Sequence, residues 1–352
     1  MDKKTVLIYG AYGFTGKRIA EQAKAMGLSL VLAGRDETLL AALAERMELP
    51  YRAFTLESVA QVASQLEDVS VVIHAAGPFK YTFRNMVEAC IQTRAHYLDI
   101  SGEWSVFEEL KKYNQAAVES GIMLLPGCGF DVVPSDCLAA YLHSKMPEAN
   151  KLELAFCPVK GGWSGGTAKT MIEGMGDGGS IRENGSMKNV SLAYKKMQIN
   201  FGPLEALSIC IPWGDLSTAY TSTGIPNIEI YFGAGRAIWW QMLFVNNMKW
   251  LFKKSWFKKF LLKQVDKRKA RLESKAITPN GKTYLWGRIS SGEATVAARL
   301  VTTNGYDFSA KASTYIAKQI LAGNFKDGYQ TPSLAYGYQL ITDIEDCAIE
   351  EV

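Results

Sequence analysis

The chain has 352 residues, 48% hydrophobic and 21% charged, a balance that excludes disordered and fibrous classes and leaves an ordinary globular protein. At this length a single hydrophobic core does not suffice, so two domains are expected. The net charge of +4 conceals an asymmetry: residues 249–271 hold ten Lys/Arg against one Asp, the rest of the chain carries −5, and a general affinity for nucleic acid does not follow.

Short apolar runs at 5–9, 28–33, 51–55, 69–75, 96–100 and 122–125 predict strands. Between them, 17–26, 37–47, 58–66, 83–93 and 104–120 place apolar residues at helical spacing. Leu39, Leu40, Leu43 and Met47 form one such stripe, with Asp36 where its N-cap should stand. Alternation at this pitch predicts parallel strands with right-handed crossovers. The fold class is therefore α/β, a Rossmann-type doubly wound parallel sheet in the order 3-2-1-4-5-6. The first apolar run stops at Gly10 and reads as a strand rather than a secretory leader. No uncharged apolar stretch of about 18 residues occurs, so no spanning helix is expected. Six scattered cysteines without a CxxC read as small core hydrophobes of a reducing compartment.

From about residue 151 the rhythm changes. "KLELAFCPV", "LSICIPWG", "NIEIYFG" and "EATVAARLVTT" are strand-like and separated by glycine-rich loops, which predicts a mixed or antiparallel sheet in a second, α+β domain. The glycine-rich segment 161–179 is expected to be mobile unless something orders it.

Gly10, Gly13 and Gly16 fall between the first strand and the first helix. Glycine permits the tight turn and lets backbone amides approach a diphosphate, with the helix dipole behind them. This makes Gly10, Ala11, Tyr12, Gly13, Phe14, Thr15 and Gly16 candidate dinucleotide contacts. The second strand ends "LAGRD". Arg35 stands where an acidic residue would hold a free ribose 2′-hydroxyl, and a guanidinium matches a 2′-phosphate, so NADP is expected rather than NAD. Ala75, Ala76, Gly77 and Pro78, at the end of the fourth strand, complete the candidate cofactor contacts.

"YGAYGFTGKRIA", "LAGRD", "VVIHAAGPF", "HYLDISGEW", "MLLPGCGFDVVPSDCLA", "GGTAKTMIEGMG", "IPWGDLSTAYTSTGIPNIEIY" and "YQTPSLAYGYQLI" resemble, in order along the chain, the saccharopine dehydrogenase-like oxidoreductases, and most closely their trans-acting enoyl reductase branch. The resemblance implies an NADP-binding Rossmann domain over 1–135, a substrate and dimerisation domain over 136–328, and a segment over 329–352 that returns to the first domain. It also implies an NADPH-dependent oxidoreductase that reduces an enoyl or related double bond of a lipid intermediate. Two alternatives stay open: a non-catalytic NADP-binding, membrane-associated scaffold, and an imine reductase acting on amino-acid-derived substrates. Residues 239–275 carry no motif of the family.

Hydride transfer asks the protein for positioning and a proton source. Tyr81, Asp99 and Glu103, near the ends of the fourth and fifth strands, are the catalytic candidates; Asp99 and Ser101 also suit capping of the helix at Trp104. Asp131 and Asp136 are further acidic candidates that equally suit caps and turns. Tyr141 and Lys145 spell the Y-x-x-x-K of short-chain dehydrogenases but follow the wrong strand, so they are set aside. His74, His96 and His143 are too separated for a metal site, and none is expected.

The basic segment 249–271 interleaves Trp250, Phe252, Trp256, Phe257 and Phe260 with lysines, without a clean amphipathic face. It suits either a membrane surface or packing against its own domain. The partners expected are a small-molecule or acyl-carrier-linked lipid substrate, a second copy in a homodimer and peripheral membrane contact through 249–271, with no nucleic acid. The expected location is cytoplasmic, either free or peripheral on a membrane.

Overall fold

A computed structural model describes residues 4–159, 162–276, 280–344 and 347–352. The chain divides into two compact units. One runs to Val133 and resumes over Tyr306–Leu340; the other comprises Pro134–Gly305 and Ile341–Val352.

The first unit opens with β1 (Thr5–Tyr9), α1 (Phe14–Ala25), β2 (Ser29–Gly34), α2 (Glu37–Met47), β3 (Tyr51–Ala53) and α3 (Val59–Ser64). It continues through β4 (Val69–His74), α4 (Phe83–Thr93), β5 (His96–Asp99), α5 (Trp104–Leu110), α6 (Asn114–Ser120) and β6 (Met123–Leu125). The strands lie in the order β6-β5-β4-β1-β2-β3, all parallel, as the alternation predicts. Val6, Leu7 and Ile8 have no exposed surface, because a central strand of a parallel sheet is covered on both faces. Asp36 caps α2, its Oδ1 accepting from the Leu39 amide at 3.0 Å. The helix expected over 104–120 is divided between α5 and α6 by a 3₁₀ turn at Lys111–Tyr113.

The second unit takes up α7 (Val133–Lys145), β7 (Lys151–Pro158), α8 (Gly165–Gly174), β8 (Gly179–Glu183), β9 (Ser186–Val190), β10 (Lys196–Asn200) and β11 (Glu205–Cys210). Then follow α9 (Asp215–Thr223), β12 (Asn227–Gly233), α10 (Gly235–Asn247), α11 (Lys249–Phe252), α12 (Ser255–Ala276), β13 (Lys282–Ser291) and β14 (Ala294–Thr303). The sheet runs β10-β11-β12-β7-β13-β14, with β7 and β12 parallel and the other neighbours antiparallel. It is the mixed sheet the sequence predicts. On one face Cys157, Ile181, Phe201 and Tyr231 pack together. Glu153 is buried in this sheet between Lys151 and Arg288, at 2.7 Å from each, so the charge taken out of water is paired on two sides.

The glycine-rich segment is ordered by a helix. Gly165–Gly174 forms α8, capped by Ser164, whose Oγ accepts from the Thr167 amide. α12 packs along it through the Lys169–Asp266 pair at 2.6 Å and a Lys258–Glu173 contact. A Cβ on Gly162 would sit 3.0 Å from the Lys275 Cβ, and one on Gly165 3.3 Å from Lys269. These glycines let the basic helix approach. Gly161 lies outside the described residues.

The chain then re-enters the first unit with α13 (Gly305–Leu321), β15 (Gly328–Tyr329) and α14 (Pro332–Tyr336), and ends in the second with α15 (Leu340–Ile344) and β16 (Ile349–Glu351). β15 extends the parallel sheet beside β6, and β16 pairs antiparallel with β14. The boundary expected at 328/329, and the return of the whole of 329–352 to the first domain, are corrected accordingly. The return begins at Tyr306, because α13 buries Phe308, Ala312 and Ile316 in the first unit, and the last strand goes to the second sheet.

Candidate functional site

The turn between β1 and α1 is fastened on both sides. The Gly10 and Ala11 amides donate to the Ala33 carbonyl of β2 at 2.8 and 3.1 Å, and the Ala75 amide donates to the Tyr9 carbonyl at 2.8 Å. Gly10 has φ +86°, and a Cβ there would stand 3.0 Å from the Ala75 carbonyl carbon and oxygen. A Cβ on Gly16 would overlap the Gly10 carbonyl. The two glycines therefore allow the helix start to fold directly onto the strand end. Gly13, extended at φ −68° and ψ 166°, is the N-cap of α1 and brings no side chain to the first-turn amides, and no acidic residue stands in that turn. Amides at a helix start have no intrahelical acceptor, and the helix dipole adds positive potential there. The cradle suits a diphosphate.

Tyr12 shapes the neighbouring strand end. Its hydroxyl accepts from the Asp36 amide at 3.3 Å, and its ring lies so close over Gly34 that a Cβ there would stand 2.5 Å from Cε1. The requirement for glycine at 34 is invisible in the sequence, because it arises from a ring 22 positions away. Arg35, next in line, is exposed.

Ala75, Ala76, Gly77 and Pro78 follow β4 and lead into a 3₁₀ turn, Phe79–Tyr81. The Thr82 hydroxyl donates to the Ala76 carbonyl at 2.8 Å. Glu103 holds the same turn from the loop after β5: its carboxylate accepts from the Phe79 amide at 2.7 Å and the Lys80 amide at 3.1 Å. Two backbone bonds make Glu103 a positioning residue rather than the proton carrier expected at the crevice mouth. Tyr81 stands on the turn so held and is 67% exposed.

Asp99 is also corrected. It is fully buried, not at the mouth. One oxygen accepts from the Ser101 and Gly127 amides, both at 2.9 Å; the other accepts from the Tyr97 hydroxyl at 2.8 Å. Burial pushes its carboxyl up to about 6 despite these donors. It ties the ends of β5 and β6 together. Ser101 Oγ accepts from the Glu103 amide at 3.0 Å, so the pair builds the loop before α5 rather than capping that helix.

The same loop gathers an acid of more chemical interest. Asp131 lies against Gly102, where a Cβ would stand 2.8 Å from its Oδ2. Burial first, and then the negative Glu103, push its carboxyl up to about 7, so it holds a proton near neutrality. Its sequence context, "GFDVVPSD", equally suits a turn, and only burial and the approach of Glu103 distinguish it.

Other candidates lie apart. Tyr141 donates to Glu351 at 2.6 Å and Lys145 pairs with the same carboxylate at 2.8 Å, on α7 of the second unit. Asp136 accepts from Ser222 at 2.6 Å in that unit. His74 is buried among Tyr9, Phe79 and Tyr97. Among the described residues no group of three or more His, Cys, Asp or Glu could hold a metal ion.

Residues 6–125, which contain this cradle, match the family described as saccharopine dehydrogenase NADP binding domain. Over residues 6–125 the chain is a saccharopine dehydrogenase-like NADP-binding domain. The chain is 28% identical over 211 residues to a human saccharopine dehydrogenase-like oxidoreductase, covering 53% of this chain and 48% of that protein. It is 30% identical over 195 residues to a lipid droplet localized protein of Caenorhabditis elegans, covering 50% and 46%. It is 33% identical over 181 residues to a Mycobacterium tuberculosis protein named as a trans-acting enoyl reductase, covering 48% and 43%. The chain spans about half the length of the curated relatives it matches. In fold it is similar to apo saccharopine dehydrogenase (L-Glu forming) from Saccharomyces cerevisiae, with TM-score 0.67, 13% identity and 99% of each chain covered. At that identity the likeness is one of fold. NADP is the cofactor of this domain, and the glycine cradle has the form its diphosphate requires.

Proposed function

We propose that the protein is an NADPH-dependent oxidoreductase that reduces an enoyl or related double bond of a lipid intermediate. The observation that carries the reading is the start of α1, which its N-cap Gly13 leaves without a capping side chain and which follows a turn pinned between β2 and the loop after β4 by the Gly10, Ala11 and Ala75 amides. The amides at the start of α1 would hold the diphosphate, and Arg35, just after β2, would hold the 2′-phosphate with paired charge-assisted hydrogen bonds. The names of the mycobacterial and nematode relatives support the enoyl and lipid parts of the reading.

When bound, the nicotinamide supplies hydride. The chain's own part is to orient and to move a proton. Glu103 fixes the turn carrying Tyr81, which would hydrogen-bond the acyl carbonyl; Asp131, protonated near neutrality beside Glu103, would deliver the proton.

Thermal-shift titration tests the cofactor reading. NADPH should raise the melting temperature more than NADH does, and Arg35→Ala should abolish the difference. Oxidation of NADPH with enoyl thioesters then tests the reaction. Turnover of imines but not enoyl substrates replaces this reading with an imine reductase. Tight NADPH binding with no turnover of either replaces it with a scaffold.

A further inference from the structure

Among the described residues, every strongly exposed Trp or Phe lies between positions 240 and 260: Trp240, Phe244, Trp250, Trp256 and Phe260, each 52–65% exposed. All five belong to α10–α12 of the second unit or to the junctions between these helices. In α10 and α11 no residue is buried, and in α12 only Val265 and Ala276 are.

The helix that lacks a clean apolar face in sequence divides in space into a side against α8 and an outward side. One side of α12 is taken up by α8, through Lys258 and Asp266. Phe257, Leu261 and Leu262 are half-buried. The outward stripe is Trp256, Phe260, Lys263 and Lys267, spaced i, i+4, i+7 and i+11 and therefore on one helical face. On α10, Trp240 and Phe244 repeat the i, i+4 aromatic spacing. Rings of Phe252, Trp256, Phe257 and Phe260 join in one cluster, with centroids 5.2, 5.6 and 6.5 Å apart in successive pairs through Phe257.

Over residues 235–271 there are eleven Lys/Arg and a single acid, Asp266, which is already paired with Lys169. A face of this charge repels a second copy of itself and attracts an anionic surface. Exposed indoles and phenyl rings beside long-stemmed lysines match the boundary of a phospholipid layer, with rings at headgroup depth and ammonium groups at the phosphates. No helix among the described residues is long and apolar enough to cross a membrane. We propose that α10–α12 form an interfacial element that lies on anionic phospholipid surfaces, with Trp240, Phe244, Trp256 and Phe260 inserted and Lys259, Lys263 and Lys267 at the headgroups. The proposal does not depend on the cofactor reading.

Flotation of the full chain on vesicles tests it, with phosphatidylcholine alone compared with phosphatidylcholine containing phosphatidylserine. The chain should float with the phosphatidylserine vesicles and be released by high salt. Lys259→Glu/Lys263→Glu/Lys267→Glu should weaken binding by at least about a hundredfold, at about fivefold per lysine. Trp256→Ala/Phe260→Ala should weaken it at least about tenfold and leave its salt dependence in place. Because these side chains are exposed, circular dichroism melting of both variants should match the wild type. Absence of flotation with phosphatidylserine, or flotation unaffected by either variant, overturns the proposal. So does a dimer in solution that Trp256→Ala/Phe260→Ala dissolves, which would assign the face to a second copy.

Discussion

Glu103 accepts the Phe79 amide at 2.7 Å, so the loop after β5 fixes the turn after β4. With the second bond from Lys80, one carboxylate sets the backbone that carries Tyr81. Glu103→Ala removes both acceptors. Stability should fall by about 2–4 kcal/mol from two charge-assisted bonds in a partly buried site. In turnover assays KM for the acyl substrate should rise more than kcat falls, since positioning is lost and the proton source remains. Urea unfolding and steady-state kinetics measure the two effects. An unchanged KM would show that the turn does not meet substrate.

Asp99 separates a strut from a catalyst. Asn at 99 keeps an oxygen for the Ser101 and Gly127 amides, and its amide group can donate to the Tyr97 hydroxyl. Asp99→Asn should therefore cost under about 1.5 kcal/mol and retain turnover, whereas Asp99→Ala, which leaves buried donors without an acceptor, should cost about 3 kcal/mol or more. Loss of turnover in a stable Asp99→Asn variant would return Asp99 to the catalytic set.

Asp131 gives stability a definite pH slope. Its folded value, about 7, lies above the ordinary 3.8, so the folded state binds the extra proton between these limits. Stability from this group is present at low pH and is lost as pH rises from about 4 to about 7. His74 and His96, lowered by burial to about 3 and about 4, act oppositely and cost stability as pH falls below 6.5. Melting temperature of wild type minus that of Asp131→Asn should decrease from pH 5 to pH 8, a difference that cancels the histidines. The same substitution should remove the alkaline limb, near pH 7, from the pH profile of kcat. A parallel pair of melting curves would place the Asp131 carboxyl in its usual range.

The Gly16 position has no room for a methyl group, since a Cβ meets the Gly10 carbonyl. Gly16→Ala must push α1 away from the strand end. It should destabilise the first unit by about 1–3 kcal/mol and weaken NADPH binding more than tenfold. Fluorescence titration with NADPH reads this directly. Gly27→Ala is the control: nothing lies within 4 Å of its added Cβ, and although φ +73° makes it strained, cofactor affinity should be unchanged.

The parallel sheet, its strand order and the glycine cradle were legible because their causes are local. An apolar run, a helical stripe and a glycine spacing each act within a dozen residues, and the crossover rule supplies the rest. β13 is not legible in the sequence although Thr283, Leu285 and Ile289 alternate inward, because its central place depends on pairing with β7 and β14. Gly287 in that strand looks like a breaker. It is required there because Leu138, Leu142 and Leu154 close over it.

By itself, the amino-acid order determined where backbone amides would be left without side chains in front of them, and hence the anion cradle and its cofactor. Only the tertiary structure decided which acids are struts and which one keeps a proton, because a carboxyl's role follows from donors and charges brought to it from distant parts of the chain. It also decided that the glycine-rich segment is the seat of the basic helix and that this helix turns its tryptophan and lysines outward. Burial and pairing depend on all neighbours in three dimensions, and a linear pattern records only those along one element.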